Sequence, residues 1–332
     1  MALVEARQQS LVAAGEARAE HQRLSKLMAP NMLLEGHAGE IYAAKFSTDG
    51  TCLASAGHEQ VIFLWNVYGE CENFATLRGH KGAIMDLKFN TDSSNIITGS
   101  VDKTVRIWDM ETGICQRKYV AHTDFVNGVD VSRRGNQLVA SASDDSTVRI
   151  FDSRTKAPVK QYNSKYQQMS VVFNDTSDVV FCGGIENSIQ AWDLRRDDVS
   201  YVLEGHTDTV TSLSLSPNGN FLLSNSMDCS MKQWDVRPFV PSERMVQTFY
   251  GHQHNFEKNL LKCSWSPCGG YVTAGSGDRF VYAWDVSTRK ILYKLPGHNG
   301  SVNATDFHPK EPILLSAGSD KKIYLGEIFL DA

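Results

Sequence analysis

An all-β chain built from seven copies of one four-stranded unit follows from two repeated phrases and the distance between them. The first phrase is TGSVDKTVRIWD at residues 98–109. It reads as a strand end, a tight turn at Asp102 and an alternating strand that closes on Trp108-Asp109. Val105 and Ile107 point one way along that strand, Arg106 and Trp108 the other, the period of two that marks a strand between unlike environments. Copies end at Asp152, Asp193, Asp235 and Asp285, with weaker ones at Asn66 and Glu327. The second phrase is a Gly-His pair at 36–37, 79–80, 205–206, 251–252 and 297–298, with Ala121-His122 as a variant. These histidines stand 42–46 residues apart, except for one gap of 84 in which Ser164 takes the expected place. Four short strands at that period are the blade of a propeller, so the expected fold is a seven-bladed β-propeller with four-stranded blades.

Residues 1–30 stand apart from the repeats. They are rich in Ala, Glu, Arg and Gln without turn residues before Pro30, which favours a helix from about Val4 to Met28. An N-terminal arm, helical or disordered, is the expectation for this stretch. Within the second unit, strands are expected at Ala83–Phe89, Asn95–Ser100, Thr104–Trp108 and Cys115–Val120, separated by turn residues at 90–94, 101–102 and 111–113. The last unit ends after its third strand, while residues 31–35 lie where a fourth strand belongs. They are therefore expected to complete the seventh blade beside residues 322–329, which removes an exposed edge. The result is one propeller domain over residues 31–330. Its period breaks between Trp234 and Trp284, which are 50 residues apart. The extra length sits in RPFVPSERMVQTFY (237–250) and HQHNFEKNLLK (252–262), both read as loops around strands. Long loops on a rigid scaffold are where binding residues collect.

Composition narrows the function classes. Hydrophobic residues make up 42% of the chain and charged residues 21%, the proportions of a globular protein. A net charge of −5 argues against a broad basic surface for nucleic acid. The seven cysteines are scattered, with no CxxC pair, which points to reduced thiols in the cytosol or nucleus. Three sequons, at Asn174, Asn299 and Asn303, would matter only in a secreted protein. No secretory signal, membrane span or glycine-rich phosphate loop is visible in the sequence.

Each unit carries a His, a Ser or Thr, an Asp and a Trp at fixed offsets: His80, Thr98, Asp102 and Trp108 in the second, His206, Ser224, Asp228 and Trp234 in the fifth. A hydrolase triad has this content, yet an enzyme needs one such site rather than several equivalent ones. A hydrogen-bonded chain tying turn to strand accounts for every copy. His252-Gln253-His254 lacks a Cys or carboxylate cluster, so neither a metal nor a cofactor is expected there.

Gly-His openings, an Asp turn and a closing Trp-Asp, repeated along the chain, resemble the WD-repeat family of β-propellers. The resemblance covers residues 31–330 and implies that the four recurring residues form a structural tetrad in each blade. This sequence departs from the pattern: Phe151 replaces Trp in the third blade, Ser164 and Cys182 replace His and Ser in the fourth, Ala274 replaces Ser in the sixth, and Gly326 stands at the Trp position of the seventh. Glu59 and Glu186 stand in for Asp. WDLR (192–195) and WDVR (234–237) resemble the motif with which WD-repeat substrate receptors dock a cullin-type ubiquitin ligase, an alternative function resting on Arg195 and Arg237.

Within the family, VVFNDTSD (171–178), WDVRPFVPSER (234–244), HNFEKNLLKCSWSPCG (254–269) and GDRFVYAWD (277–285) resemble WD-repeat subunits of the U5 small nuclear ribonucleoprotein of the spliceosome. That resemblance implies a non-enzymatic, nuclear scaffold for pre-mRNA splicing. It would be a monomeric propeller within a large complex, docking on the large central U5 protein and other U5 proteins and meeting U5 RNA only indirectly. No membrane and no small-molecule substrate is implied. The partner surface is expected in the loops where the period breaks, at His254, Asn255, Phe256, Lys258, Arg279 and Phe280.

Overall fold

A computed structural model describes residues 23–135, 137–240 and 243–329 of the chain. Seven antiparallel four-stranded sheets follow one another, six of them with their strands in chain order from the innermost outwards. The second blade comprises Ile84–Phe89, Asn95–Ser100, Val105–Asp109 and Cys115–Tyr119, within a residue of the expected limits at each strand end. Asn31–Leu34 pairs with Ile323–Glu327, in the register Asn31 to Gly326 and Leu34 to Ile323, and so supplies the seventh blade's outer strand. No helix occurs among the described residues, and none is long and apolar enough to cross a membrane.

The arm departs from the helix expected to reach Met28. Residues 23–28 are extended or bent, and residues 1–22 lie outside the described residues. The backbone N–H groups of Leu24 and Ser25 and the Arg23 guanidinium all donate to the Glu327 carboxylate. Leu27 is buried in one core with Trp65, Ile313 and Leu325, and bridges in parallel to Gly69. A helix would have to give up both this burial and these bonds, and Pro30 disfavours the helical region for the residue before it.

The hydrophobic core lies between blades rather than at the centre. Ala54, Ile62 and Leu64 of the first blade pack on Ile84, Leu87, Ile96 and Trp108 of the second, and similar clusters recur around the ring. Innermost strands would leave an edge of unpaired N–H groups, and the next blade satisfies it. Asp86 accepts from Val129 N at 3.0 Å, Asp130 from Phe173 N at 2.8 Å, Ser170 from Leu213 N at 2.9 Å, and Asp306 from Phe46 N at 3.1 Å across the ring closure. Two faces result. One carries the blade-to-blade connections, with the recurring histidines, and the turns between second and third strands; this is the histidine face. The opposite, or turn, face carries the remaining connections.

Candidate partner interface

The tetrads set the shape of the histidine face. In the second blade His80 Nδ1 lies 2.9 Å from Asp102 Oδ2, His80 Nε2 lies 2.7 Å from Thr98 Oγ1, and Trp108 Nε1 donates to the same hydroxyl at 3.0 Å. With Nδ1–H donating to the carboxylate, Nε2 accepts from the hydroxyl, which in turn accepts from the indole. The fifth blade repeats the chain: His206 to Asp228 at 2.9 Å, His206 to Ser224 at 2.7 Å, Trp234 to Ser224 at 2.8 Å. A hydroxyl that both donates and accepts is required at the middle position, so Ser and Thr serve equally. Burial pushes the Asp102 carboxyl up, but hydrogen bonds from His80, Thr104 and Lys81 N outweigh it and hold the group well below the usual carboxylate range.

The glycine of each Gly-His pair has a steric reason. Gly79 sits at φ +157°, and a Cβ there would stand 3.0 Å from Trp108 Cη2; at Gly205 the same atom would meet Trp234 at 3.1 Å. Where Phe151 shortens the aromatic, the pair reads Ala121-His122, and His122 still reaches Asp145 at 2.8 Å and Ser141 at 2.6 Å. In the fourth blade the Ser164 hydroxyl reaches Gln190 at 3.3 Å, and burial raises the Cys182 thiol to about 12, leaving it a neutral filler.

The sixth blade differs most. Ala274 offers no hydroxyl, so Trp284 Nε1 donates to Tyr250 O at 3.0 Å instead. Asp278 accepts from the Tyr282 hydroxyl at 2.6 Å and pairs with Lys294 at 3.6 Å. His252, 1% exposed, keeps both ring nitrogens without a partner, as does Nε2 of His254. Burial depresses both imidazoles to about 4, so both are neutral at neutral pH.

The six residues expected at the partner surface all lie on the histidine face, on residues 251–262 and the adjoining turn at 276–280. The base of the long loop is fixed. Gln253 N donates to Ser276 Oγ at 2.9 Å, Gly277 N to Gln253 O at 2.7 Å, and Asn259 Nδ2 to Ser301 Oγ at 2.8 Å. Its tip is bare: Phe256 is 91% exposed, with Lys258 and Arg279 also exposed, each at positive φ. Asn255 braces the tip, accepting from Glu257 N at 3.2 Å, and His254 N donates to Cys229 Sγ at 3.3 Å. Phe280 is half-buried against the blade core beneath Lys294, whose Nζ lies 4.3 Å from its ring. Residues 258–260 reach over the channel mouth, where a 220 Å³ hollow opens towards Tyr42, Ala83 and Met85. Sequence reasoning missed these last three, since nothing in a strand's alternation tells a channel-mouth residue from a core one. The other insertion, between the strands Ser230–Asp235 and Met245–Tyr250, begins and ends on the turn face, so the broken period adds to both faces.

Arg195 and Arg237 also lie on the turn face and are exposed. Arg195 reaches Asp178 at 3.4 Å, and Arg237 Nε lies 3.0 Å from both oxygens of Asp235, so each is engaged by a carboxylate of its own blade. Arg154, in the Phe-Asp-Ser-Arg copy of the motif, binds Asp152 in the same way.

The WD domain, G-beta repeat family matches residues 28–66, 71–109, 113–152, 198–235, 243–285 and 289–325. The unmatched stretch between 152 and 198 holds the third blade's outer strand and the inner three strands of the fourth blade, where His and Ser of the tetrad are replaced. The "U5 small nuclear ribonucleoprotein 40 kDa protein" of Homo sapiens is 56% identical over 306 residues, covering 92% of this chain and 86% of that one. Its namesake from Dictyostelium discoideum is 51% identical over 308 residues, covering 92% and 87%. "Pre-mRNA-splicing factor cwf17" of Schizosaccharomyces pombe is 42% identical over 307 residues, covering 92% and 90%. With its seven blades, its recurring tetrads and these matches, the chain belongs to the WD-repeat family of β-propellers.

Proposed function

We propose that this protein is a non-enzymatic scaffold of the U5 small nuclear ribonucleoprotein, acting in pre-mRNA splicing in the nucleus. It holds the large central U5 protein and neighbouring U5 proteins, and meets U5 RNA only through them. The observation that carries the reading is a bare aromatic tip, Phe256 beside Lys258 and Arg279, on a loop with a fixed base, in a chain akin to U5 and splicing proteins over nine-tenths of its length. A fixed loop binds with little ordering cost, and an exposed aromatic flanked by cations is the composition of an interface anchor. The cullin-type ligase reading has less support, because Arg195 and Arg237 are already engaged by Asp178 and Asp235.

Affinity purification from nuclear extract tests the proposal. The tagged wild-type chain should recover U5 RNA and the largest U5 protein. Phe256→Ala with Arg279→Ala should lower that recovery by about tenfold or more, as loss of an interface anchor does, with an unchanged circular dichroism spectrum. Undiminished recovery by the double variant rejects this surface, and failure of the wild type to recover U5 components rejects the splicing role.

A further inference from the structure

The central channel opens on the turn face into a cavity of about 470 Å³, within the size range of ligand sites. Prolines 217, 267 and 309 stand around its rim, and Phe89, Trp265 and Phe307 contribute to its walls. Three cations line it, Lys45, Lys88 and Arg133, against one carboxylate, Asp306. Lys45 pairs with Asp306 at 2.6 Å, and Lys88 reaches Asp130 of the next blade at 3.6 Å. Arg133 has no carboxylate among the described residues. It spans two blades to donate to the carbonyl oxygens of Ser216, at 2.9 Å, and Leu215, at 3.0 Å. These neutral acceptors leave the mouth with an uncompensated positive charge. Ser264, 2% exposed, lines the same cavity with its hydroxyl unpartnered. A buried hydroxyl without a bond is costly unless something fills that role.

We propose that this mouth is a binding site for an acidic side chain of a partner peptide, an Asp or Glu carboxylate flanked by apolar residues. Arg133 and the two lysines would receive the carboxylate, Ser264 would donate to it, and the aromatic walls would take the flanking apolar groups. Depth sets the size of the occupant. Below the mouth, Lys262 of the sixth blade reaches across to Asp86 of the second at 3.4 Å, and the space there is only about 20 Å³. A side chain fits such a blind funnel; a threaded strand does not. A nucleic-acid backbone fits poorly too, because it brings a charge at every nucleotide to a mouth that already holds Asp306. The site lies on the face away from Phe256, and its test is independent of which partner the histidine-face loops hold.

Fluorescence anisotropy of a labelled peptide with a Phe-Glu-Leu core, added to the full chain, reads the site directly. Saturable binding below about 1 mM is expected, with the Phe-Gln-Leu counterpart at least about tenfold weaker. Arg133→Gln should weaken the acidic peptide by about tenfold, and Arg133→Lys, which keeps the charge, by less. Arg133→Gln also gives up the bonds to Ser216 and Leu215, so affinities are compared at a temperature where each variant keeps the wild-type circular dichroism spectrum. Ser264→Ala removes a hydroxyl that bonds nothing in the fold, and should weaken binding without lowering stability. Equal affinity for the two peptides, equal binding by Arg133→Gln, no saturation, or displacement by a single-stranded RNA oligomer at concentrations matching the peptide would each overturn the proposal.

Discussion

The Gly-Trp fit of each blade can be tested by adding one methyl group. In Gly79→Ala the new Cβ would lie 3.0 Å from Trp108 Cη2 and 2.8 Å from Arg106 Nη1. Arg106 can move its end; Trp108, 2% exposed and bonded to Thr98, cannot. Gly297 is the internal control. Its φ of +150° is close to the +157° of Gly79, but its nearest neighbour would be the Tyr324 ring at 3.7 Å, ordinary contact distance. Backbone strain of about 1–2 kcal/mol is therefore common to both substitutions. Overpacking adds about 1–3 kcal/mol at Gly79 alone. Equilibrium urea denaturation should show Gly79→Ala less stable than Gly297→Ala by that margin. A double-mutant cycle sharpens the assignment: in a Trp108→Phe background the ring is shorter, and Gly79→Ala should cost at least about 1 kcal/mol less. Equal losses at the two glycines, or strict additivity with Trp108→Phe, would refute the steric account of the Gly-His pair.

Two further outcomes follow from the tetrads. Trp234→Ala should cost about 3–5 kcal/mol, the usual loss on truncating a buried aromatic; a loss below about 1 kcal/mol by denaturation would contradict its place in the core. The second concerns pH. His252 titrates near 4 when folded and near 6.5 when unfolded, so between those values the unfolded chain binds the extra proton. Stability from this group is complete above pH 6.5 and is lost as pH falls towards 4, before the depressed tetrad aspartates protonate. His252→Phe should therefore flatten the dependence of stability on pH between 5 and 6 by about 1.4 kcal/mol per unit, and an unchanged slope would count against burial as the cause.

Blade count, strand limits and ring closure were legible because each depends on local pattern: alternation, turn residues and a recurring period. Pairing across the channel was not. Lys45, Lys88, Asp86, Asp130 and Asp306 sit at alternate positions of their strands and read as ordinary surface charges. Yet Lys45 meets Asp306, 261 residues away, only because the ring closes. Phe280 shows the same limit at the candidate interface, since loop composition gives exposure on average while the fold tucks this ring under Lys294. The arm shows it as well: helix propensity is a weak prior, and the buried Leu27 overrides it.

The departures from the tetrad are themselves ordered. Two or three residues before each histidine position, the preceding blade's outer strand places a side chain against the Trp position. Where the tetrad is complete, in the first, second and fifth blades, that side chain is Leu34, Leu77 or Leu203, each in one core cluster with Trp65, Trp108 or Trp234. In the third, fourth and sixth blades it is aromatic. Tyr119 lies 4.5 Å from Phe151, Tyr162 stacks on Trp192 at 4.9 Å, and Phe249 meets Trp284 at 6.3 Å. The seventh blade has Leu295 there but no Trp, and its own Tyr324 packs edge-on against His298 at 4.8 Å. Aromatic contact of this kind stabilises by about 0.5–1.5 kcal/mol beyond its buried area, the same order as one net hydrogen bond. An incomplete polar chain and an added ring thus offset each other blade by blade. The sixth blade keeps aromatic packing under its divergent loop, and the histidine that lost its partners is the one beneath that loop.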